Sequence, residues 1–433
     1  MNQAYASWGR WPPATQHALR INSRFAPLPD VKGSVLPRGN GRSYGDVCLN
    51  DGGTLLDARG LDRFIAFDPA TGVLQCEAGV LLGTILDLCV PRGWFLPAVP
   101  GTRFVTVGGA IANDVHGKNH HAVGSFGCHV RRFELLCSHG GSGICSAHEN
   151  ADWFAATVGG LGLTGFITWA ELQLRPVQGP WLATETRRFG RLDDFFELSD
   201  ESAKGFEYTV AWVDCTRRGK ALGRGVFSRA NHSATPEHAR VPHAGHLKMP
   251  LTPPFPLVNG PTLHAFNWQH FHRAPATLRR APQHYRPWLF PLDGIREWNR
   301  MYGPHGFLQY QCVLPPATAH DGVHELLDRI AASGTGSFLA VLKQFGATLS
   351  PGLLSFPRPG TTLALDFANR GPRTFELLER LDATVAAAGG AVYPAKDARV
   401  SGDHFRQYFP AWREFSGFID PAFSSGFWRR VTR

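Results

Sequence analysis

Three glycine-rich segments, spread over about 130 residues of the first half, limit what this chain can fold into. The first is Pro37-Arg38-Gly39-Asn40-Gly41-Arg42-Ser43-Tyr44-Gly45-Asp46. The second runs from Pro100-Gly101-Thr102 to Thr106-Val107-Gly108-Gly109-Ala110, and the third is Gly159-Gly160-Leu161-Gly162-Leu163-Thr164-Gly165. Glycine lets backbone approach a ligand closely and present its N–H groups to an anion. Arg38 and Arg42 add charge to the first loop. That loop lacks the Gly-Lys-Ser/Thr ending of a Walker loop and the Gly-x-Gly-x-x-Gly of a nucleotide-binding βαβ unit.

Between the loops the pattern is mixed. Phe64 to Phe67 and Val73 to Glu77 alternate like a hairpin around Asp68-Pro69-Ala70-Thr71-Gly72. Leu81 to Val90 reads as a helix stopped by Pro91 and Gly93. A short apolar helix is expected over Ala110 to Val115, with Gly108 and Gly109 leaving its start bare for an anion. Val130 to Cys137 and Phe166 to Leu174 read as strands, Asp152 to Thr157 as a helical turn. With no regular βαβ repeat, this α+β arrangement predicts one large phosphate-bearing cofactor lying across a domain. The run His116-Gly117-Lys118-Asn119-His120-His121 then sets His116 and Lys118 beside it. No metal is expected there, because no Cys or carboxylate sits at ligand spacing and no His pair at i, i+4 flanks a Glu.

The second half predicts strands over Gly306 to Leu314, Ser337 to Phe345, Thr361 to Ala368 and Ala391 to Pro394. Helices are predicted over Asp321 to Ala332 and Arg373 to Ala388. This order implies an antiparallel sheet with helices on one face. Alternation groups Gln309 with Gln311, and Thr362 with Ala364 and Asp366, opposite Leu308, Tyr310, Cys312, Leu363, Leu365 and Phe367. The polar face either roofs a substrate site or meets water. From about Thr235 to Pro291 the chain is rich in Pro, His, Arg and aromatics with little periodicity. It reads as a flexible flap, with Leu251 to Leu257 and Tyr285 to Phe290 resting on a lipid surface near Arg279, Arg280 and Arg286.

A formal charge of +9 on 433 residues favours an anionic partner: nucleic acid, a phosphosugar or an acidic membrane surface. The basic residues are scattered and form no nucleic-acid signature, so small phosphate-bearing molecules or lipid headgroups fit better. Eight cysteines without a Cys-x-x-Cys pair read as reduced core residues. No apolar run reaches a membrane span, and Met1 to Trp11 lacks a signal-peptide core. The expected location is cytoplasmic, with contact at the inner face of the plasma membrane.

These segments together resemble the flavoproteins of the vanillyl-alcohol-oxidase and p-cresol-methylhydroxylase type. Within them, Gly41-Arg42-Ser43-Tyr44-Gly45-Asp46, Pro100-Gly101-Thr102-Arg103, His116-Gly117-Lys118-Asn119-His120-His121 and Gly124-Ser125-Phe126-Gly127 are similar to the decaprenylphosphoryl-β-D-ribose 2-oxidase family. So are Glu297-Trp298-Asn299-Arg300, Gly306-Phe307-Leu308-Gln309-Tyr310-Gln311 and Ala395-Lys396-Asp397, so the likeness covers nearly the whole chain.

The resemblance implies a two-subdomain FAD-binding fold plus an antiparallel-sheet substrate domain. The corresponding bounds are 1–178 for the first part of the FAD-binding domain, 179–390 for the substrate domain with the flexible segment 235–291, and 391–433 for the return. FAD contact is implied for Arg38, Gly39, Asn40, Gly41, Arg42, Ser43 and Tyr44. It is also implied for Pro100, Gly101, Thr102, Thr106, Val107, Gly108, Gly109, Asn113, His116 and Gly117, and for Gly162, Gly165, Ile167, Tyr393 and Lys396. Arg42 stands where several members of the wider superfamily carry the flavin-linked His, so the FAD is expected to be non-covalent. Catalytic roles fall to Lys396, His116, Tyr44 and Lys118, and sugar or phosphate contacts to Gln309, Gln311, Lys343, Asn119, Trp212 and Asp366. Lys396 either assists the substrate hydroxyl or stabilises the reduced flavin, or merely pairs with Asp397.

The pocket wall departs from mycobacterial relatives, with Ala364 in place of Cys and Leu289 and Thr362 in place of Tyr and Asn. The implied activity is oxidation of the ribose 2-hydroxyl of a polyprenylphosphoryl ribose, completed by a short-chain reductase toward arabinose. Oxidation of a sugar lactone or alditol on the same scaffold is the alternative.

Overall fold

The computed structural model describes residues 5–236 and 247–433. Of the five sheets among the described residues, the three with more than two strands organise the chain. In the smallest of these three, His17–Arg20 and Val35–Arg38 both run parallel to Thr54–Asp57, so the first glycine loop leaves directly from a strand end. The second sheet is antiparallel in the order Phe64–Asp68, Val73–Glu77, Phe166–Gln173, Val130–Leu136, Ser142–Ser146. Helix Leu82–Cys89 buries Leu82, Ile85, Leu86 and Cys89, the i, i+3, i+4, i+7 stripe that makes one face apolar.

The second glycine segment builds its helix differently from the expectation. The helix spans Val107–Ala112, with Thr106 as its cap, Oγ1 accepting the Gly109 N–H at 3.2 Å. Gly108 and Gly109 therefore lie inside the first turn, and Asn113 to Val115 lie beyond its end. A Thr cap outweighs glycine's poor helix propensity here because Val107, Ala110 and Ile111 are fully buried.

The third sheet has eight antiparallel strands. Their order is Arg279–His284, Trp181–Phe189, Gly225–Ser233, Tyr208–Val213, Val341–Phe345, Gly360–Ala368, Phe307–Leu314, Ala391–Val392. Gln309 pairs with Asp366 and Gln311 with Ala364, the register that alternation anticipated. Helices Leu192–Ser202, Ala319–Ala332 and Pro372–Ala387 cover one face, where Phe195, Val323, Leu326 and Leu381 meet Leu308, Tyr310, Leu363 and Leu365. The strand expected from Ser337 begins only at Val341; Ser337 instead turns the chain, its Oγ donating to the Leu339 carbonyl at 2.9 Å.

The segment read as a flap is more ordered than its composition suggested, although its residues 237–246 lie outside the described ones. Helix Gly260–Arg273 starts at an Asn259–Thr262 capping box and buries only Leu263, Asn267 and Phe271. That stripe is thin, and exposed Phe266 and Trp268 obscure its period. Arg279–His284 forms the sheet edge, and Arg280 pairs with Glu185 at 2.6 Å rather than standing free. Tyr285, Trp288, Leu289 and Phe290 are buried in the same apolar cluster as Ile85, Leu86 and Phe95, so they do not face lipid. Arg286 closes over them onto Asp87 at 2.6 Å.

Candidate active site

A single cavity of about 1150 Å³ lies between the glycine loops and the uncovered face of the eight-stranded sheet. It crosses that sheet: Gln311, Ala364, Lys343, Trp212, Ser228, Thr186 and Gln283 all line it and sit on seven successive strands. Six interstrand steps of ~4.8 Å make this floor roughly 29 Å wide. Of the residues grouped by alternation, Gln309, Gln311 and Ala364 thus face the cavity and not water.

At one end the turn after the last strand delivers Lys396. Its Nζ stands 3.9 Å from the centre of the Tyr44 ring, and the Tyr44 N–H donates to the Ala395 carbonyl at 2.9 Å. Asp397, the adjacent carboxylate, is committed elsewhere, accepting from the Arg399 and Val400 amides, each at 3.0 Å, and from Arg430 at 2.9 Å. The structural pairing of Lys396 with Asp397 is therefore absent. The carboxylate that acts on Lys396 is Asp366, which accepts from Gln309 Nε2 at 2.6 Å and from the Tyr302 hydroxyl at 3.5 Å. Burial lowers the Lys396 pKa while Asp366 raises it and Lys343 lowers it further. Burial raises the Asp366 carboxyl, with Gln309 and Lys396 opposing. Burial likewise pushes the Tyr44 hydroxyl well above its usual value, keeping it a neutral donor.

His116 sits between two elements of the large sheet. Its Nε2 meets the Gln311 amide at 2.9 Å, and its Nδ1 meets Lys343 Nζ at 3.3 Å. Burial, then the charge of Lys343, hold it well below its ordinary pKa, so it is a neutral imidazole. When Lys343 is charged it donates to Nδ1, which puts the ring proton on Nε2 and requires Gln311 to turn its carbonyl oxygen to it. Thr362 Oγ1, 3.1 Å from the same amide atom, then donates its hydroxyl proton to that oxygen. Lys118 donates to the Trp288 and Leu289 carbonyls at 2.8 and 2.7 Å, so it clamps the short helix Tyr285–Leu289 to the cavity wall.

The structure brings nearly all the anticipated residues to this cavity: Arg38 to Tyr44, Pro100 to Thr102, Thr106, Gly108, Gly109, Asn113, His116, Lys118, Gly162, Gly165, Ile167, Trp212, Gln309, Gln311, Lys343, Tyr393 and Lys396. Four stand behind the wall instead. Val107 is core, and Gly117 only offers its carbonyl to Lys343 at 3.5 Å. Asn119 is fully buried and spends its amide on the Pro97 carbonyl at 2.7 Å, so it holds the loop and not a substrate. Asp366 acts through Gln309 and Lys396. Missed were Trp8, Trp288, Asp293 and Arg296, which also line the cavity. Trp8 packs on the Arg42 guanidinium at 4.0 Å, and Asp293 accepts the Arg103 N–H at 2.9 Å. Their signal was weak because each lies outside the glycine loops and the strands that alternation marks.

The glycine-loop half of the cavity suits a large polar ligand. A Cβ on Gly39 would stand 2.1 Å from Thr106 Oγ1, so the first two loops meet only because that residue is glycine. Arg42 Nε and Asn113 Oδ1 are buried without a hydrogen-bond partner on residues that line the space. Buried polar atoms of this kind call for an external partner. An FAD-binding domain model matches residues 29–146, the stretch that carries the first two loops.

The likeness to known proteins extends much further. The chain is 37% identical to the decaprenylphosphoryl-beta-D-ribose oxidase of Mycolicibacterium smegmatis, over 92% of this chain and 89% of that one. The chain belongs to this oxidase family. It is therefore an FAD-dependent oxidoreductase with a mixed helix and sheet fold. An uncharacterized protein in the mprA 5'region of Streptomyces coelicolor is 35% identical over 81% of this chain and its own full length. Human Delta(24)-sterol reductase matches only 26% of this chain at 30% identity, and 22% of its own. Among the described residues no helix is long and apolar enough to cross a membrane.

Proposed function

We propose that the protein oxidises the 2-hydroxyl of a polyprenylphosphoryl-β-D-ribose to the ketone. The observation that carries this reading is the meeting of Lys396, Tyr44 and Gln309 at one end of a cavity whose floor crosses the sheet, in a chain matching a family oxidase along nearly all of its length. FAD, when bound, supplies the acceptor for the hydride leaving the carbinol carbon. Neutral Lys396 takes the hydroxyl proton, and burial is what leaves it neutral near physiological pH. Tyr44 lies against the amine, Gln309 fixes the Asp366 carboxylate that acts on it, and His116 with Gln311 orients the sugar. The residues of the three glycine loops hold the FAD without a covalent bond, Arg42 occupying the position of the flavin-linked His found elsewhere in the superfamily.

The domain bounds 1–178, 179–390 and 391–433 belong to the same reading, as does a separate short-chain reductase that consumes the keto sugar. Contact with an anionic membrane surface is now assigned to the segment after 246, where Leu247, Leu251 and Phe255 are exposed, and not to the buried Tyr285 to Phe290. That segment is tied to the cavity rim, the Met249 N–H donating to the Arg296 carbonyl at 2.9 Å.

Anaerobic mixing of FAD-loaded protein with polyprenylphosphoryl ribose tests the proposal. Loss of the long-wavelength flavin band is expected. A band that survives the lipid sugar but bleaches with a free alditol or sugar lactone overturns the substrate and leaves the oxidoreductase.

A further inference from the structure

Two lysines in the cavity have no counter-ion among the described residues. Lys118 Nζ satisfies two of its three N–H groups on the Trp288 and Leu289 carbonyls and rests 5.1 Å from the Trp288 ring centre. Lys343 Nζ has only the His116 nitrogen at 3.3 Å and the Gly117 carbonyl at 3.5 Å. Among the described residues neither makes an ion pair. Asp293 favours the charged form of Lys118 from a distance but is itself engaged with the Arg103 amide. Asp366 is turned to Gln309 and Lys396. Two half-buried ammonium groups with unused donors in one cavity are costly unless an anion joins them or they shed their protons.

We propose that Lys118 and Lys343 together form the binding site for the phosphodiester of the lipid-linked sugar, an assignment that rests on the proposed function. The chemistry requires an anion site there. On such a sugar the phosphate is carried by the carbon next to the one oxidised, so its oxygens lie within a few bonds of the hydroxyl that faces Lys396. Lys343 meets this condition, because its charge is felt at both Lys396 and His116. The glycine loops, by contrast, belong to the cofactor half of the cavity. Burial lowers both lysines to about 7, Lys343 adding to the effect on Lys118. The other titratable groups facing the pair are His116, His120 and Lys396, all held low first by burial, with Asp293 and Asp366 beyond them. A bound phosphodiester raises both lysines, so anion affinity is greatest below neutrality and is lost as the ammonium groups deprotonate.

The test is calorimetric titration of the FAD-loaded protein with the methyl diester of farnesyl phosphate, which keeps one negative charge from pH 6 to pH 9, and with farnesol as the neutral control. The diester is expected to bind about tenfold tighter than farnesol at pH 6, with the preference shrinking toward unity by pH 9. Lys343→Met and Lys118→Met should each weaken the preference at pH 6 about threefold or more, with farnesol affinity kept in Lys343→Met, and Lys343→Arg should retain part of the preference at pH 9, where Lys118 alone is neutral. A preference absent in the wild type, unchanged in both Met variants, or removed only by Arg273→Met or Arg296→Met at the rim overturns the site. If the preference behaves as expected but polyprenylphosphoryl ribose leaves the flavin oxidised, the anion site stands and the sugar assignment falls.

Discussion

Lys396 Nζ faces the Tyr44 ring at 3.9 Å while the next residue, Asp397, sends its carboxylate the other way, onto Arg430 at 2.9 Å. A two-residue turn thus separates a group free to exchange a proton from one locked in a structural ion pair. Removing the amine should leave FAD bound but slow the chemistry. Lys396→Met is expected to lower the rate of flavin reduction by substrate about a hundredfold or more, read by anaerobic stopped flow. An unchanged rate would remove Lys396 from the proton path.

Asp366 raises the Lys396 pKa against the pull of burial. Asp366→Asn removes that support, so the lysine loses its proton at lower pH. The acid-side limb of the reduction rate should therefore move down by about one pH unit, and a limb that moves up would reverse the assigned roles.

Arg430 bridges Asp46 of the first glycine loop, at 2.8 Å, and Asp397 beside Lys396. Burial alone would raise the Asp397 carboxyl, but Arg430, Arg399 and two backbone amides outweigh it and its pKa is lowered. A carboxyl depressed in the folded state contributes stability above its unfolded pKa of ~3.9 and loses it as pH falls through the folded value. Arg430→Met should cost about 3 kcal/mol at pH 7 and flatten the acid limb of the stability curve in chemical unfolding. An acid limb as steep as the parent's would deny the bridge its part in stability.

A methyl group at Gly39 would press on the oxygen that caps helix Val107–Ala112. Gly39→Ala is expected to destabilise the protein by about 1–3 kcal/mol and to weaken FAD retention on gel filtration. Full retention with an unshifted melting temperature would mean the loops part without cost.

On the proposed reading that FAD is held without a covalent bond, heat or acid denaturation should leave all flavin absorbance in the supernatant. Yellow pellet would contradict the dissociable cofactor.

The glycine loops, the antiparallel order of the second half and the grouping of Gln309, Gln311 and Ala364 on one strand face were legible in the sequence, because each rests on local physics: backbone freedom at glycine and the two-residue period of a strand; that this face turns to the cavity and not to water was decided by the tertiary structure. Lys396 as the central group came from a motif resemblance, since nothing about a lone Lys-Asp pair separates a catalytic lysine from a paired one. Tertiary structure showed only that Lys396 is not paired with Asp397, by bringing Arg430, from the last helix, to Asp397 and setting the charge of Asp366 near Lys396. It also decided the fate of Tyr285 to Phe290, where an aromatic run fits a lipid surface or a core equally well by composition. The pairing of Lys118 with Lys343 lies in the same class, for a missing counter-ion is a property of the folded neighbourhood and has no sequence period to announce it.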